Sequence, residues 1–214
     1  MQPAIEPERQ KKTRRPRKKE FQVDELPEAA KERVLEKHRG WNVEYCDWAE
    51  CTIDAFKEKL GSLGFLDPET YYSGFWSQGD GASFKAEVDI DIYIRAHLED
   101  LIKARVDIFT LRQILNRDSA RDDWEMESHH ITQSGHYYHE KTMDIDLGWR
   151  GDAPKNIEDA LTQMQGFILK DARDLAKGFY KSLGKEYDYL TSDEAIIESL
   201  NANDKKFTRD GEDI

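Results

Sequence analysis

Two histidines stand where they could bind a metal ion. If Ser134-Gly135 forms a two-residue turn, His130 and His139 lie directly opposite each other on neighbouring antiparallel strands. Directly opposed side chains have Cβ atoms about 5 Å apart, a separation at which two imidazoles can share a transition metal. No third ligand of the usual kind is offered by the neighbouring positions Thr132, Tyr137 and Lys141. We therefore predict no metal site and interpret both histidines as polar residues at the edge of the core, with the metal pair as the alternative.

Paired aspartates could hold Mg²⁺ as in a nuclease. Asp89 and Asp91, and likewise Asp144 and Asp146, are two positions apart, so that each pair shares one face of a predicted strand. No lysine or glutamate completes a nuclease-like motif with them, and the residue order shows no Ser-His-Asp or Cys-His arrangement. We predict solvated side chains on an acidic strand face and no catalytic residues, so that a binding protein is favoured over an enzyme.

An aromatic segment followed by a glycine-rich turn offers two further kinds of binding. An aromatic side chain of this region could stack a nucleobase, the candidates being Tyr71, Tyr72, Phe75, Trp76 and Phe84. The amides of such a turn could cradle an anion. Asp80 argues against a phosphate there, and the Gln78–Gly81 spacing matches neither a P-loop nor a dinucleotide fingerprint. The alternative is a hairpin turn with core aromatics and one aromatic exposed at an interface. The candidate binding residues of this aromatic hairpin are Tyr72, Trp76, Gln78 and Asp80.

The strands that would position the aromatic hairpin are indicated by residue type and alternation. Residues 84–92 alternate apolar with mostly charged side chains, which predicts a strand with one buried and one wet face. Residues 71–77 are rich in strand-forming aromatics. A Gly-Asp-Gly link between the two segments predicts a hairpin with Phe75 on the face of Phe84.

A second hairpin is predicted further along the chain. Residues 124–132 and 136–147 flank Ser134-Gly135 and carry alternating apolar and polar side chains. With those two residues as the turn, Met126 opposes Met143 on the apolar face. The other face carries acidic side chains, which extends the wet face of the first hairpin.

Helices are indicated where apolar residues recur every three or four positions. They are predicted to begin near residues 26, 41, 96, 154 and 191 and to end near residues 38, 60, 115, 183 and 200. The longest carries the stripe Ile157, Leu161, Met164, Ile168, Leu175, Phe179 and Leu183. The predicted fold class is α+β, an antiparallel sheet of about four strands in two hairpins, with helices packed on one face. The other face would be wet and acidic, with the candidate binding residues Glu87, Asp89, Asp91, Asp144 and Asp146.

A basic segment contrasts with an acidic remainder. Arg9–Lys19 holds eight cations and no apolar residue, although the net charge of the chain is −12. Such a block cannot bury apolar surface, so we predict a disordered basic arm at residues 1–20 and a single domain at residues 21–214. The arm could grip nucleic-acid phosphates, act as a nuclear-localisation signal, or be a solvated tail that is free or folded back on the acidic body. Its candidate nucleic-acid contacts are Arg14, Arg15, Arg17, Lys18 and Lys19.

Composition also bears on the compartment. No run approaches the eighteen or so apolar residues of a membrane helix, and Met1–Glu6 lacks the apolar core of a signal peptide. Cys46 and Cys51 are five apart in a predicted helix and do not share a face well enough to form a disulfide. We expect two reduced, mostly buried thiols in a cytoplasmic protein with no cofactor and no membrane contact.

The segment Tyr72–Phe84, which reads YSGFWSQGDGASF, resembles the signature of an uncharacterised family of small proteins from phages and bacterial mobile elements. Further similar blocks are Leu26–Glu32, Ser134–His139 and Tyr187–Ala195. The resemblance spans about residues 24–211 and leaves out the basic arm. Some relatives carry the label of an antitoxin. The resemblance implies an accessory protein of a bacterial cytoplasm, and it implies no catalytic residues.

Three classes of function follow. The leading one is a phage-encoded accessory protein whose acidic surface binds, and modulates or inhibits, a host or defence-system protein with a basic surface. A dense acidic face resembles the charge of nucleic acid and associates quickly with a basic groove. The second class is a nucleic-acid-binding accessory protein that uses the arm. The third is an antitoxin-like or nucleotide-capturing protein that uses the aromatic hairpin.

Overall fold

The structure is a computed structural model that describes residues 20–117 and 123–214. The predicted arm, with its candidate contacts Arg14, Arg15, Arg17, Lys18 and Lys19, lies outside the described residues apart from Glu20. The described residues form two compact units. The smaller unit comprises the residues up to Glu44 together with Leu190–Ile214, and the larger unit comprises Tyr45–Tyr189. The single domain that we predict for residues 21–214 stays a prediction.

Seven α-helices and a four-stranded antiparallel sheet are found in the described residues, which confirms the α+β class. The helices are α1 (Glu28–Lys37), α2 (Glu50–Ser62), α3 (Ile90–Ala96), α4 (Leu98–Lys103), α5 (Ile108–Leu115), α6 (Lys155–Leu190) and α7 (Asp193–Ala202). The strands are β1 (Phe65–Tyr72), β2 (Ala82–Val88), β3 (Trp124–Gln133) and β4 (Met143–Gly151). Short 3₁₀ turns lie at Val23–Glu25, Trp41–Val43, Cys46–Ala49 and Glu140–Thr142. None of these helices combines the length and the apolar character that a membrane crossing requires.

The smaller unit is built around Phe207, whose side chain is fully buried. The backbone of Phe207 exchanges two hydrogen bonds with that of Phe21, each with an N–O distance of 2.9 Å. Apolar side chains of α1 and α7 pack in the same cluster. Ser192 caps α7 by accepting a hydrogen bond from the Ala195 amide, in agreement with the helix start predicted near residue 191.

The larger unit holds its core between the sheet and helices α2 and α6. The strand order is β1-β2-β3-β4, so each strand pairs with its neighbour in sequence. Phe56 of α2 stacks on Phe179 of α6 at a centroid distance of 4.2 Å and meets Phe84 of β2 edge-on at 5.8 Å. The predicted stripe of α6 is confirmed, because its members are all buried: Ile157, Leu161, Met164, Ile168, Leu175, Phe179 and Leu183. The helix continues past its predicted end to Leu190.

The first hairpin differs from the predicted one in extent and register. β1 ends at Tyr72, so the strand predicted for residues 71–77 is wrong over most of its length. Thr70 pairs with Phe84, and Phe75, predicted on the face of Phe84, lies outside the sheet. Residues 73–81 form a loop in place of a two-residue turn. Aromatic composition favours a strand locally, but the tertiary contacts of Phe75 with α6 hold the segment outside the sheet.

β2 ends at Val88, before the end predicted at Ile92. Asp89 accepts a hydrogen bond from the Ile92 amide at 2.9 Å and thereby caps α3. Ile90 and Ile94 are both buried, and their spacing of four residues is typical of a helix. The alternation of apolar residues at positions 88, 90 and 92 is equally typical of a strand. The strand assignment of residues 89–92 is therefore wrong, because both periods fit this short run and the N-cap selects the helix.

The second hairpin is present, but its register differs from the predicted one. His130 pairs with Asp146, not with His139. Residues 134–142 form a loop between β3 and β4. Within this loop the Thr142 hydroxyl donates a hydrogen bond to the His139 carbonyl at 2.7 Å. Local side-chain hydrogen bonds of this kind stabilise a long loop in competition with further strand pairing.

Candidate functional site

The face of the sheet that points away from the core carries a row of polar side chains across three strands. Glu87 of β2 pairs with His130 of β3, which in turn pairs with Asp146 of β4. All three residues are exposed. The adjacent row lies on the buried face and consists of Ala86, Ile131 and Ile145. Because side chains alternate along a strand, the sheet has one apolar face against the helices and one polar face in solvent.

This exposed face is called the outer face. Its residues are Glu69, Tyr71, Lys85, Glu87, His130, Thr132, Asp144 and Asp146. Lys85 pairs with Glu69 across β1 and β2, and its Nζ lies 5.5 Å from the centre of the Tyr71 ring. The Tyr71 hydroxyl donates to the Glu69 carboxylate at 2.5 Å, and this hydrogen bond raises the pKa of Tyr71. The outer face thus has four carboxylates and one lysine, and the ammonium of that lysine already lies over an aromatic ring.

Three of the five predicted acidic residues lie on the outer face, namely Glu87, Asp144 and Asp146. Asp89 and Asp91 do not, because the chain has left the sheet at Val88. Asp91 forms an ion pair with Arg117 at 2.6 Å, and Asp89 caps α3. The placement of these two residues on the acidic strand face is therefore wrong.

A small cavity of about 140 Å³ lies where β2 passes into α3. Its polar lining consists of Glu87, Asp89, Asp91, Arg117 and His129. The Nε2 atom of His129 lies 3.3 Å from Oε1 of Glu87. Two pairs of the lining side chains therefore contact each other, His129 with Glu87 and Arg117 with Asp91, whereas the Nδ1 atom of His129 is buried without a partner among the described residues.

The loop of residues 73–81 is anchored by Phe75. The Phe75 ring lies 5.5 Å from that of Tyr180 and 4.9 Å from that of Tyr187, both on α6. It also meets the edge of Trp48 at 6.2 Å. Aromatic pairs at these distances add to the hydrophobic contribution of their burial, so Phe75 fixes the middle of the loop.

The four candidate residues of the aromatic hairpin have different roles. Trp76 is 78% exposed, and its backbone φ is 78°. Asp80 accepts a hydrogen bond from the Ser77 amide at 2.6 Å and so closes the loop. Tyr72 is half-buried and packs against Trp48 with ring centroids 6.2 Å apart. Gln78 is exposed. Tyr72 and Asp80 therefore support the loop, and Trp76 is its most exposed aromatic side chain.

The loop between β3 and β4 lies against the loop of residues 73–81. A Cβ atom at Gly79 would come within 3.1 Å of the Tyr137 ring, and φ there is +95°, so both space and backbone favour glycine. Tyr138 stacks on Tyr71 with ring centroids 5.2 Å apart. Tyr137 is 65% exposed. The three residues Trp76, Tyr137 and Tyr138 are called the aromatic end.

The histidine pair considered as a metal site is not formed. His130 lies on the outer face opposite Asp146. His139 lies in the loop after β3, where its Nδ1 accepts from the Lys141 amide at 3.2 Å and lies 2.8 Å from the Glu140 carboxylate. Within residues 20–117 and 123–214, no group of three or more His, Cys, Asp or Glu side chains could hold a metal ion.

Sequence reasoning missed Glu69, Tyr137 and Tyr138 as surface residues. The predicted strand of residues 136–147 includes Tyr137 and Tyr138, although two adjacent aromatics break the alternation that Met143 resumes. That break was an available signal for a longer loop. Glu69 follows Asp67-Pro68, a pair that is typical of a turn, so no strand is predicted there. In the structure the pair lies at an irregularity within the edge strand β1, which continues through Glu69.

A family model described as Domain of unknown function (DUF8835) matches residues 48–193. The matched range includes the whole sheet and both loops of the aromatic end. Comparison with curated proteins and with solved structures gives no match. The family match agrees with the resemblance to an uncharacterised family.

Proposed function

The chain belongs to the family described as Domain of unknown function (DUF8835), and we propose that it binds a partner protein with a basic surface. The proposed binding surface is the outer face, with Glu87, Asp144 and Asp146 from the predicted set and Glu69 added by the register. In keeping with the resemblance to phage and mobile-element proteins, the proposed partner is a host or defence-system protein. Binding would modulate or inhibit that protein in the bacterial cytoplasm.

The charge pattern of the outer face supports this proposal. Asp144 and Asp146 lie two positions apart on the same face of β4, and Glu87 lies in the same cross-strand row as Asp146. Like charges held this close on a sheet oppose folding slightly, so stability alone does not favour their arrangement. The arrangement of carboxylates would raise the association rate constant with a basic partner, because a surface of one charge sign steers the encounter.

Charge reversal at β4 tests the proposal. The variant D144K/D146K inverts two exposed carboxylates of the outer face, and the control D54K/E58K makes the same change at exposed positions of α2. Each tagged protein of residues 1–214 would capture partners from a bacterial lysate at two salt concentrations. The association rate constant of the captured protein would then be measured.

We expect the wild type and the α2 control to capture the same basic protein. The outer-face variant should associate about tenfold more slowly, with a flatter salt dependence, because steering by the carboxylates is lost. Circular dichroism would establish that both variants are folded. Undiminished capture by D144K/D146K would contradict the proposal, and so would recovery of nucleic acid in place of protein.

A further inference from the structure

Trp76 combines a disfavoured backbone conformation with a nearly fully exposed side chain. Its φ of 78° lies in the left-handed region, which bulky residues rarely adopt. Because the side chain is 78% exposed, burial of the indole does not compensate for this strain. Glycine or asparagine would adopt the same backbone at lower cost. The indole lies 6.5 Å from the Phe75 ring, but neither backbone preference nor burial favours a tryptophan at this position.

The backbone on both sides of Trp76 is fixed. The Tyr180 hydroxyl donates to the Gly74 carbonyl at 3.1 Å, and the Asp80 carboxylate accepts from the Ser77 amide at 2.6 Å. At the base of the loop, the Ser73 amide donates to the Gly81 carbonyl at 3.0 Å. The indole therefore projects from a loop whose backbone is held by hydrogen bonds. A ligand that binds this ring would immobilise few further rotatable bonds, so the entropic cost of binding is low.

The loop that carries this indole holds one carboxylate, that of Asp80, and no basic side chain. The Asp80 carboxylate is bonded to the peptide that follows Trp76. Burial, and next the charge of Asp80, raise the pKa of Tyr180, whereas a hydrogen bond from the Trp76 backbone lowers it. Residues 73–81 include no lysine or arginine. A carboxylate in this loop disfavours an anionic ligand such as a nucleotide phosphate and favours a cation, which the indole face also attracts.

The neighbouring surface already contains a contact of this kind. Lys85 Nζ lies 5.5 Å from the centre of the Tyr71 ring, and Tyr71 stacks on Tyr138 of the aromatic end. We propose that Trp76 stacks with an arginine side chain of the basic partner, with Tyr137 and Tyr138 beside it. Arginine suits the site better than lysine, because the planar, weakly hydrated guanidinium stacks on an aromatic face. This inference rests on the proposed function, which requires a basic partner.

Short basic peptides test the inference without knowledge of the partner. A peptide of six arginines and one of six lysines would each be titrated calorimetrically into the full chain and into W76A. The wild type should prefer the arginine peptide. W76A should bind that peptide about two- to fivefold more weakly, the factor of an exposed cation–π contact, and should lose the preference. The variant W76F, which keeps an aromatic ring, should lie between the two.

The outer-face variant separates this inference from the proposed function. D144K/D146K should weaken both peptides alike and keep the arginine preference, because it leaves the indole in place. An unchanged preference in W76A would overturn the arginine site, even if D144K/D146K behaves as proposed. Binding of an oligothymidine to the wild type that is lost in W76A would overturn it as well, because the indole would then stack a nucleobase. Peptide binding unaffected by D144K/D146K would instead overturn the role of the outer face.

Discussion

Tyr138 stacks on Tyr71 with ring centroids 5.2 Å apart and so joins the aromatic end to the outer face. Tyr71 belongs to β1 and Tyr138 to the loop after β3, although β1 and β3 are not paired with each other. In an antiparallel sheet of this order, the β1–β2 loop and the β3–β4 loop emerge at the same end. The two candidate binding surfaces are therefore adjacent parts of one surface.

Asp89 should prove structural, unlike Asp144. Asp89→Ala should lower the free energy of unfolding by about 1 kcal/mol, because α3 loses its N-cap hydrogen bond to the Ile92 amide. Asp144→Ala, on the exposed outer face, should change it by less than about 0.5 kcal/mol. Urea unfolding followed by circular dichroism measures both. Equal effects of the two changes would contradict the assignment of Asp89 to the cap.

Phe75 and Trp76 should affect stability in opposite ways. Phe75→Ala should lower the free energy of unfolding by about 2 kcal/mol, somewhat less than the loss of a fully buried ring, because Phe75 is only partly buried. Trp76→Asn should leave it unchanged or raise it by up to about 1 kcal/mol, since asparagine tolerates positive φ. Chemical unfolding of both variants measures the two changes in the free energy of unfolding. A large loss of stability in Trp76→Asn would show that the indole has a structural role.

Two nearby glycines should respond differently to alanine. At Gly64, where φ is +91°, a Cβ atom would lie 2.7 Å from the Tyr93 amide nitrogen and 2.9 Å from the Asp89 carbonyl oxygen. Gly64→Ala should therefore lower the free energy of unfolding by more than about 1 kcal/mol. Gly61, in α2, has open space around it, so Gly61→Ala should raise stability by about 0.5–1 kcal/mol. Thermal or urea unfolding tests this contrast, and a stabilising Gly64→Ala would contradict the described turn.

The acid stability of the smaller unit should depend on Asp213. Lys37 donates to its carboxylate at 2.6 Å and lowers the pKa of Asp213 from the ordinary value of 3.8. Because the folded-state pKa is the lower one, this stabilisation is present above 3.8 and is lost as the pH falls through the folded value. Asp213→Asn should flatten the decline of the unfolding midpoint in acid. Glu212→Gln keeps the Lys37 pair and should retain the decline, and identical profiles for the two variants would refute the linkage.

Periodicity predicted the elements whose pattern runs over many residues. The apolar stripe of α6 repeats over several turns, so its buried face was identified correctly from the sequence. The buried alternation of Met143, Ile145 and Leu147 in β4 was likewise read correctly. In both elements one face packs against a single apolar layer, and local pattern and tertiary burial agree.

The two hairpin registers could not be predicted, because each depends on contacts that the strand pattern does not show: distant ring contacts in the first hairpin and side-chain hydrogen bonds within the loop in the second. Phe75 lies in a loop since Tyr180 and Tyr187, more than a hundred positions later, form the site that receives its ring. The register that places His130 opposite Asp146 depends on hydrogen bonds inside the loop of residues 134–142. In both loops, short-range propensity predicts a tight turn at the glycines and strand at the aromatic residues. The contacts made in the folded protein override both predictions.

The pairing of Phe21 with Phe207 sets an order of events during protein synthesis. Tyr45–Tyr189 is one continuous stretch, and the larger unit can fold once that stretch has left the ribosome. The two segments of the smaller unit are synthesised at different times, one before and one after the larger unit. The apolar face of α1 therefore stays unpacked until α7 and Phe207 have left the ribosome. Helix α1 therefore completes its packing only after the larger unit has been synthesised, and in that interval its apolar face is open to chaperones and proteases.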